Sequence, residues 1–489
     1  MRKENPLLIF RTNQKIAALQ SIAGEKFLLQ INMKKWFIIF GCSLFVTVFS
    51  MCNKADVFGE EGYDDRLSGG VATVFDETSK AFTHAVSGLN ARDQLVHEIG
   101  DKAFEQTFVS AGSSVFGGLG PVFNNVSCIS CHHNDGKGTP TAGQSTSSLL
   151  FRVSLPGQDA HGAPLPLPGF GLQLQDQALF GTQPEAQVQI SYTDVAVLYP
   201  DGSSVNLRNP KYLIQNAHTS LPAAYDLSPR MAPPVFGVGL LENIPEYTIL
   251  SFVDAGDKNG DGITGKANYI FDSTTNRNIL GRFGFKANAS TVLFQVATAY
   301  QQDMGVTSYV QPKESSRGQI QDDKKTDDPE LPDSIVKAVA FYVKSLAVPA
   351  RRNVNDAENK RGEQLFNQIN CSGCHKSTMK TGTDINFPQL SNQRIHPYTD
   401  MLVHDMGNGL ADNRADYLAS GSEWRTTPLW GIGLFEKTNG VPFYLHDGRA
   451  RTLEEAILWH DGEAKKSKEQ FMKLTKADRD MVIKFLKSL

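Results

Sequence analysis

The chain has 489 residues, of which 40% are hydrophobic and 20% are charged, so its composition is that of globular domains and excludes a largely disordered protein. Its net charge of -4 and its pI near 6.3 lack the basic footprint of nucleic-acid-binding proteins. Small molecules or proteins are therefore the expected partners, and the length allows two domains that each bury a core.

The first 52 residues have the pattern of an upstream extension followed by an export signal. Met33-Lys34-Lys35 precedes the mostly apolar run 36–49, as the charged region of a secretion signal precedes its hydrophobic region. That run is short for a membrane span. Cys52 stands where a bacterial lipoprotein would carry its acylated cysteine, so a lipid anchor, a cleaved soluble form and an uncleaved single anchor remain open. All three predict a domain in the periplasm or cell envelope.

Two Cys-x-x-Cys-His pentapeptides are the most specific pattern in the chain. With 6 Cys and 11 His in the sequence, chance placement gives roughly 0.002 such matches. A thioredoxin-like motif or half of a zinc site gives no reason for a histidine after each cysteine pair. Covalent haem c does, because the cysteines form thioethers to the haem vinyls and the histidine ligates the iron. The predicted attachment residues are Cys128, Cys131 and His132 at the first site, and Cys371, Cys374 and His375 at the second.

The remaining cysteines, Cys42 and Cys52, lie in the predicted leader. The mature domain therefore has no cysteine pair left for a structural disulfide or a redox-active dithiol.

Several polar and β-forming segments follow the first motif. The Pro- and Gly-rich stretch from Ser147 to Arg208 has β-formers alternating with polar residues and predicts loops and short strands inserted into the first module. Within it, the run from Gln173 through Gln175 to Gln177 could line a pocket or form the solvent face of a strand.

Asp257, Asn259 and Asp261 alternate with glycines as in calcium-binding loops, and Asp254 could add an oxygen ligand. Asn268 stands where an EF-hand has its glutamate, so the loop is not a complete EF-hand. Both Ca²⁺ and a plain Asp/Gly turn are compatible with this pattern.

A polar stretch at 311–334 predicts a linker between an N-terminal haem c domain at 60–310 and a C-terminal haem c domain at 335–489. The halves also echo each other, as a duplicated module would: Phe123-Asn124 and Phe366-Asn367 stand at the same distance before the two motifs. A Pro-x-x-Gly-x-Gly-Leu-x-Glu pattern begins at Pro234 and again at Pro428. We predict a mainly α fold of two cytochrome c-like haem modules with loop and minor β insertions.

Five segments together resemble the di-haem oxidoreductases described as putative peroxidases, which are similar to bacterial di-haem cytochrome c peroxidases. The resemblance covers the chain from about Leu67 to its end, and its segments are 120–124, 228–234, 404–407, 424–431 and 445–450.

This resemblance implies that the N-terminal haem, with His132 as proximal ligand, meets peroxide at an open or displaceable position. The C-terminal haem, with His375 as proximal ligand, would be six-coordinate and pass electrons. The family's second ligand to that haem follows the His-Asp-Gly motif, and counting along from His446 reaches His460. The helical spacing of Leu453, Ala456, Ile457 and His460 independently predicts that His460 points inward. A core histidine without a ligand role is the alternative, Met406 is the second choice as ligand, and His446 is a candidate for supporting the site.

The resemblance also implies a catalytic glutamate that moves a proton during cleavage of the peroxide bond. Glu242 and Glu246 are the candidates and Glu185 stands behind them, although carboxylates at helix starts are the simpler explanation. The related peroxidases use a tryptophan between their haems. Trp424, Trp430 and Trp459 are the tryptophans available here after the leader, and core packing is the simpler role for each.

The resulting prediction is a periplasmic di-haem c peroxidase-like enzyme that reduces hydrogen peroxide with electrons from a small redox protein. The alternatives are a di-haem electron carrier without catalysis and a ferryl-dependent oxidase of a partner protein. The name thiol oxidoreductase, also used for this group, does not fit a dithiol mechanism, because the predicted mature domain has no cysteine outside its haem motifs.

Overall fold

A computed structural model describes residues 64–110, 116–141, 148–272 and 275–489. Of these residues, 29% are helical and 20% lie in strands, which are distributed over many small sheets. The prediction of a mainly α fold with minor β insertions is therefore wrong. The sequence analysis expected only short strands after the first motif. Two of the strands there are twelve residues long and pair with each other along their whole length.

The helices of the described residues follow the order of the chain. They are α1 (Ala91–Glu105), α2 (Cys128–Cys131), α3 (Val238–Glu242), α4 (Glu246–Leu250), α5 (Val292–Met304), α6 (Asp333–Lys344), α7 (Ala357–Gln368), α8 (Phe435–Asn439), α9 (Leu453–Trp459), α10 (Lys465–Lys473) and α11 (Lys476–Ser488). Short 3-10 helices occur at Gly70–Ala72, His133–Asp135, Cys371–Gly373, Pro388–Leu390, Ile432–Leu434 and Gly462–Ala464.

The strands of the described residues are mostly short. They are β1 (Thr73–Val74), β2 (Val122–Phe123), β3 (Leu149–Gln158), β4 (Pro164–Leu165), β5 (Gln173–Leu174), β6 (Gln177–Ala178), β7 (Gln187–Leu198), β8 (Ser204–Gln215), β9 (Asp226–Met231), β10 (Tyr269–Asp272), β11 (Arg277–Leu280), β12 (Val348–Pro349), β13 (Met379–Lys380), β14 (Arg394–Ile395), β15 (Val403–Asp405) and β16 (Glu423–Arg425).

Strand β3 is the centre of the largest sheet and pairs antiparallel with β4, β5 and β9. Its side chains alternate between two environments, as the pleat of a strand requires. Leu149, Phe151 and Val153 are buried in a hydrophobic cluster that also contains Phe170 and Leu174. The opposite face of β3 is thereby free to line the central cavity described below.

The β7–β8 hairpin connects the first half of the chain to the second. The Tyr212 hydroxyl donates to the Asp447 carboxylate at 2.9 Å, and the Tyr199 hydroxyl donates to Glu454 at 2.7 Å. Asp201, in the hairpin turn, forms a 2.8 Å ion pair with Arg479 of α11. The insertion thus packs on the segment that carries the predicted second-haem ligand.

The internal repeat is visible in the backbone. Gly237 and Gly431, equivalent positions of the Pro-x-x-Gly pattern, both have φ 71° and ψ -4°. Two residues later, a Cβ on Gly239 would lie 2.2 Å from the Lys344 carbonyl oxygen, and a Cβ on Gly433 would lie 2.0 Å from that of Lys487. Only glycine allows backbones to approach so closely. Each module therefore brings its glycine turn against the end of a helix, α6 in one and α11 in the other.

The predicted domain boundaries stay a prediction, but the packing of α6 bears on them. Val336, Val339 and Val343 recur at helical spacing in the sequence, which predicts one apolar helix face, and all three are buried. Helix α6 packs against α1, where a Cβ on Gly100 would lie 2.2 Å from the Ala338 carbonyl oxygen. This packing favours a first module that extends through residue 344, beyond the polar stretch at 311–334.

The predicted leader at 1–52, including Cys52, lies outside the described residues. Among the residues that the structure describes, no helix has the length and apolar character needed to cross a membrane.

Replacing Gly239 by alanine should lower the free energy of unfolding by about 1–3 kcal/mol, because the new methyl group meets the Lys344 carbonyl oxygen and the backbones must separate. Denaturant unfolding of the haem-loaded protein measures this change. Gly256→Ala is the matched control, because its nearest contact would be an ordinary 3.9 Å to Lys258 Cγ. Equal stability of the two variants would contradict the close approach.

Candidate haem-binding site

A cavity of about 720 Å³ is lined by residues from both Cys-x-x-Cys-His motifs. We call it the central cavity. All six predicted attachment residues contribute to its wall: Cys128, Cys131, His132, Cys371, Cys374 and His375. The two motifs therefore share a continuous space inside the protein, as two prosthetic groups in electronic contact would require.

Three histidines on the cavity wall are oriented in the same way. The Nδ1 atom of His132 is 2.7 Å from the Pro233 carbonyl oxygen, that of His375 is 2.9 Å from the Tyr398 carbonyl oxygen, and that of His460 is 2.7 Å from the Ala456 carbonyl oxygen. A hydrogen bond from Nδ1–H to a carbonyl selects the tautomer whose Nε2 is available to a metal.

Burial keeps these histidines in the form that ligates metals. It lowers the pKa of His132 and of His375 to about 4, and it also lowers the pKa of His460. All three are consequently neutral near pH 7. The donor set thus fits haem iron at both motifs.

The two motifs have equivalent surroundings on the side of the proximal histidine. Phe104 of α1 lies with its ring centroid 6.0 Å from that of His132, and Phe366 of α7 lies 6.2 Å from that of His375. Helix α7 packs against α11 at Gly362, as α1 packs against α6 at Gly100. The duplication therefore extends to the aromatic support of each histidine.

The surroundings differ in where a second histidine lies. His460 is close enough to His375 for its charge to lower the pKa of that residue, after the larger effect of burial. His460 directly follows α9 as its C-terminal cap and lines the cavity, as does Met406. The pKa of His132 is also lowered by a second histidine, but that residue is its sequence neighbour His133, which does not line the central cavity.

His404 lies beside the second motif in a buried cluster of charged groups. Its Nε2 is 2.8 Å from Asp400 and its Nδ1 is 2.7 Å from Glu463, which also accepts hydrogen bonds from Thr264. Burial alone would lower the pKa of His404, but hydrogen bonds to Asp400, Cys374 and Glu463 outweigh it and raise this pKa well above the usual value. His404 is thus held as a cation. Through Glu463, which lies in the 3-10 helix before α10, it is linked to the loop that contains Thr264.

The wall near the first motif carries a carboxylate that the sequence analysis missed. Asp303 lines the cavity at the end of α5 and accepts a 2.8 Å hydrogen bond from the Gln173 amide. Burial raises the pKa of Asp303, and its charge contributes to raising the pKa of Cys128 and Cys131. The sequence signal was an acidic residue three positions after the buried Tyr300, on the apolar face of a helix.

The glutamines of the 173–177 run support this carboxylate. Gln173 and Gln175 are buried, and both donate to the Gln302 carbonyl oxygen beside Asp303. Gln177 donates to the Asn124 carbonyl oxygen, just before the first motif. They form a layer behind the cavity wall, not the solvent face of a strand.

The candidate glutamates lie elsewhere. Glu242 pairs with Lys344 at 2.7 Å and accepts from the Val292 amide at the start of α5, and Glu246 accepts from the Tyr269 hydroxyl at 3.1 Å. Glu185 is buried, accepts from the Gln175 amide, and has its pKa raised to about 8 by burial. None of the three is among the residues that line the central cavity.

Trp424 and His446 form a stacked pair on the cavity wall. Their ring centroids are 3.7 Å apart with planes 9° from parallel, and the Lys286 ammonium lies 4.5 Å from the indole centroid. Trp424 also packs with Phe285 and Met406. Trp430 lines the cavity as well, whereas Trp459 does not.

Buried ion pairs surround this part of the wall. Asp416 accepts from Arg230 at 2.5 Å and from Arg414 at 2.7 Å, and Lys286 donates to Asp412 at 2.8 Å. A buried charge is costly unless it is paired, and each of these charges has an oppositely charged partner within the protein.

The predicted calcium loop is an exposed turn in which side-chain oxygens accept from backbone amides. Asp257 accepts from Gly262, Asn259 from Asp261, and Asp261 from Ile263, at 2.8–3.0 Å. Asp254 accepts from Lys258 at 3.0 Å. These bonds explain the turn without an ion, and calcium stays a prediction.

A family model described as di-haem oxidoreductase, putative peroxidase, matches residues 63–489. The chain belongs to this family. Membership implies two haem groups, which agrees with the two motifs and the orientation of their histidines. It also makes the protein an oxidoreductase, without fixing its reaction.

No curated protein matches the chain. Among solved structures, hydrazine synthase from Kuenenia stuttgartiensis, pressurised with 20 bar of xenon, is similar at 20% identity over 32% of this chain, with a TM-score of 0.22. The match spans 56% of that protein's chain, and a similarity at this level does not indicate a shared overall fold.

Proposed function

We propose that this protein is a periplasmic di-haem c oxidoreductase of the peroxidase type, which reduces hydrogen peroxide at the N-terminal haem with electrons relayed through the C-terminal haem. The observation that supports this is the asymmetry of the central cavity. A second histidine accompanies His375, whereas a carboxylate on the cavity wall, Asp303, accompanies the first motif. One site is thus equipped to be coordinatively closed and the other to handle a proton.

Both haems would be held by the predicted attachment residues. Cys128 and Cys131 would form the thioethers at the first site, with His132 as the iron ligand; Cys371, Cys374 and His375 would do so at the second. Burial raises the pKa of the Cys128 and Cys371 thiols to about 12, so neither is suited to thiolate redox chemistry in the unloaded chain. This supports a role in attachment over a dithiol mechanism.

At the second site, His460 is the proposed sixth ligand and Met406 the second choice. Two imidazoles would close the coordination sphere and give a low-spin centre of lower potential than a Met/His pair. Such a haem passes electrons without binding substrate.

At the first site, Asp303 is the proposed acid–base residue in place of Glu242 and Glu246. When bound, the haem there supplies the open iron position and, with the second haem, the electrons. Asp303 would accept the proton from the near oxygen of hydrogen peroxide and return it to the departing oxygen. Gln173 orients its carboxylate, and the raised pKa of Asp303 moves it toward the working pH, where a proton shuttle is most efficient.

Trp424 is a better candidate than Trp459 for the tryptophan that passes electrons between the two haems. Trp424 lines the cavity and contacts Met406 near the second motif, while its stacked partner His446 adjoins Met231 through a backbone hydrogen bond. Trp430 is the other tryptophan on the wall.

The remaining proposals depend on the sequence. A small redox protein is the proposed electron donor. The leader pattern supports a location in the periplasm or cell envelope, where a lipid anchor at Cys52 is one of three forms that it allows. The donor spacing of the 257–261 loop is compatible with Ca²⁺ as well as with a plain turn.

An electron carrier without catalysis is the competing function. EPR and absorption spectra of the ferric holoprotein should show one high-spin and one low-spin haem, and mass spectrometry should show two covalent haem adducts. Stoichiometric hydrogen peroxide should then change the spectrum of the half-reduced protein within the mixing time. Two low-spin haems that do not react with peroxide would identify a carrier.

Asp303→Asn should reduce peroxide turnover by roughly 10²–10⁴-fold, the usual contribution of a positioned acid–base group, while both haem spectra stay intact. Steady-state oxidation of a reduced small donor measures turnover. Glu242→Gln and Glu246→Gln, assayed alongside, should stay within about threefold of the parent. Loss of turnover in either glutamate variant, with Asp303→Asn active, would reverse the assignment.

His460→Ala should convert the low-spin haem to a high-spin form, or recruit Met406, because the substitution removes the proposed imidazole ligand. Low-temperature EPR and the near-infrared charge-transfer band distinguish these results. Met406→Leu serves as the comparison and should leave the low-spin signal unchanged. A wild-type spectrum in His460→Ala would assign the ligand elsewhere.

A further inference from the structure

Arg152 is a cation on the wall of the central cavity that no role described so far explains. Arg152 lies on β3. Among the residues of that strand, Leu150 and Arg152 line the cavity. The intervening residues Leu149, Phe151 and Val153 are buried in the hydrophobic cluster on the other face. Strand alternation therefore directs the guanidinium toward the cavity.

The pairing of the sheet brings Arg152 beside the proposed acid–base residue. Arg152 is directly opposite Gln173 on β5 and opposite Ser228 on β9, so all three share the cavity face. Gln173 is the residue that donates to Asp303. The negative charge of Asp303 and the positive charge of Arg152 are also close enough to interact, although they are not in hydrogen-bond contact.

Arg152 differs from its neighbours in having no compensating partner. Arg230 and Arg414 are both paired with Asp416. Within the described residues, the Arg152 side chain has neither an ion pair nor a hydrogen bond. Burial lowers the pKa of Arg152 to about 10, which still leaves it charged at neutral pH. A partly buried cation that faces a cavity without a partner is a natural binding group for an anion.

We propose that Arg152 is the anion-binding residue of the peroxide pocket: its guanidinium stabilises a small anion at the open side of the first haem. The physiological form of that anion would be the oxygen that departs when the O–O bond breaks. This inference rests on the proposed function and adds to it a second charged group, opposite Asp303 in sign.

The near oxygen of hydrogen peroxide gives its proton to Asp303; the O–O bond then breaks with its electron pair going to the departing oxygen. Arg152 offsets the negative charge on that oxygen, which takes the proton from Asp303 and leaves as water. Two electrons from the haems and two further protons reduce the near oxygen to the second water. Charge stabilisation of this kind is effective in a pocket that excludes water.

A haem propionate is the other carboxylate or oxyanion that could neutralise Arg152. Both sources share the chemistry of a guanidinium bound to an anion, but they predict different behaviour of ligands at the iron. An anion-binding residue at the open position discriminates anionic from neutral ligands, whereas a propionate partner does not.

The test uses two probes on the ferric holoprotein, fluoride as an anion and imidazole as a neutral ligand. Arg152→Gln should raise the fluoride Kd at the high-spin haem by roughly 10–100-fold, the loss expected when a charged hydrogen-bond donor is removed. The imidazole Kd should stay within about threefold. Arg277→Gln, which removes the same charge from an exposed site, should leave both constants unchanged.

The proposal is overturned if the fluoride and imidazole Kd values change in parallel, or if neither changes. If the ratio of the two Kd values is unchanged while the midpoint potential shifts, Arg152 is assigned to a propionate. If Arg152→Gln does not retain haem, Arg152→Lys decides by the same ratio, because lysine keeps the charge but not the forked donors. A parent protein that binds neither probe refutes the open position itself, and with it the proposed function. Normal binding in the parent with an unchanged ratio in the variant refutes this inference alone.

Discussion

Close contact between backbones at two glycines is the constraint on which both haem sites depend. A Cβ on Gly100 would lie 2.2 Å from a carbonyl oxygen of α6, and a Cβ on Gly362 would lie 2.1 Å from a carbonyl oxygen of α11. Each contact fixes a pair of helices, and each pair presents a phenylalanine to the histidine of its motif. The side chain that packs beside each predicted haem histidine is therefore positioned by a closely packed pair of helices.

The two motifs have equivalent helix pairs, but the polar groups around them differ. The second motif is surrounded by groups that complete their own charge balance, such as His404 between Asp400 and Glu463. The first motif faces a wall to which the inserted sheet contributes Arg152, with Gln173 in the layer behind it. The insertion thus supplies the polar groups that distinguish the surroundings of the first motif from those of the second.

Motifs that act through local chemistry could be predicted from the sequence, whereas features that depend on long-range pairing could not. The two pentapeptides, the inward position of His460 and the burial of Val336, Val339 and Val343 all follow from spacing along the chain. The fold class was wrong because the largest sheet pairs β3 with β9, with the β7–β8 hairpin between them in the chain, and because a composition rich in proline and glycine conceals how long β3, β7 and β8 are.

The proposed acid–base residue, Asp303, was not among the sequence candidates for a related reason. Glutamates after the glycine turn looked attractive in sequence, yet Glu242 is engaged by Lys344 and by the start of α5. Asp303 lies 171 residues after His132 along the chain and reaches the cavity only because α5 ends there. A polar residue on an apolar helix face was the available signal, and it acquires meaning only once the opposing strand is known.

The β7–β8 hairpin has a consequence for how the protein can be divided. It belongs to the first half of the chain, yet Tyr212 donates to Asp447 in the segment before α9 and Tyr199 donates to Glu454 within α9, the helix that leads into His460. Expressing the second half alone would leave those carboxylates without their tyrosines and would remove the cover of that helix. The second half of the chain therefore depends on the first for the packing around α9, and a split protein is expected to lose the position of His460 at the end of that helix.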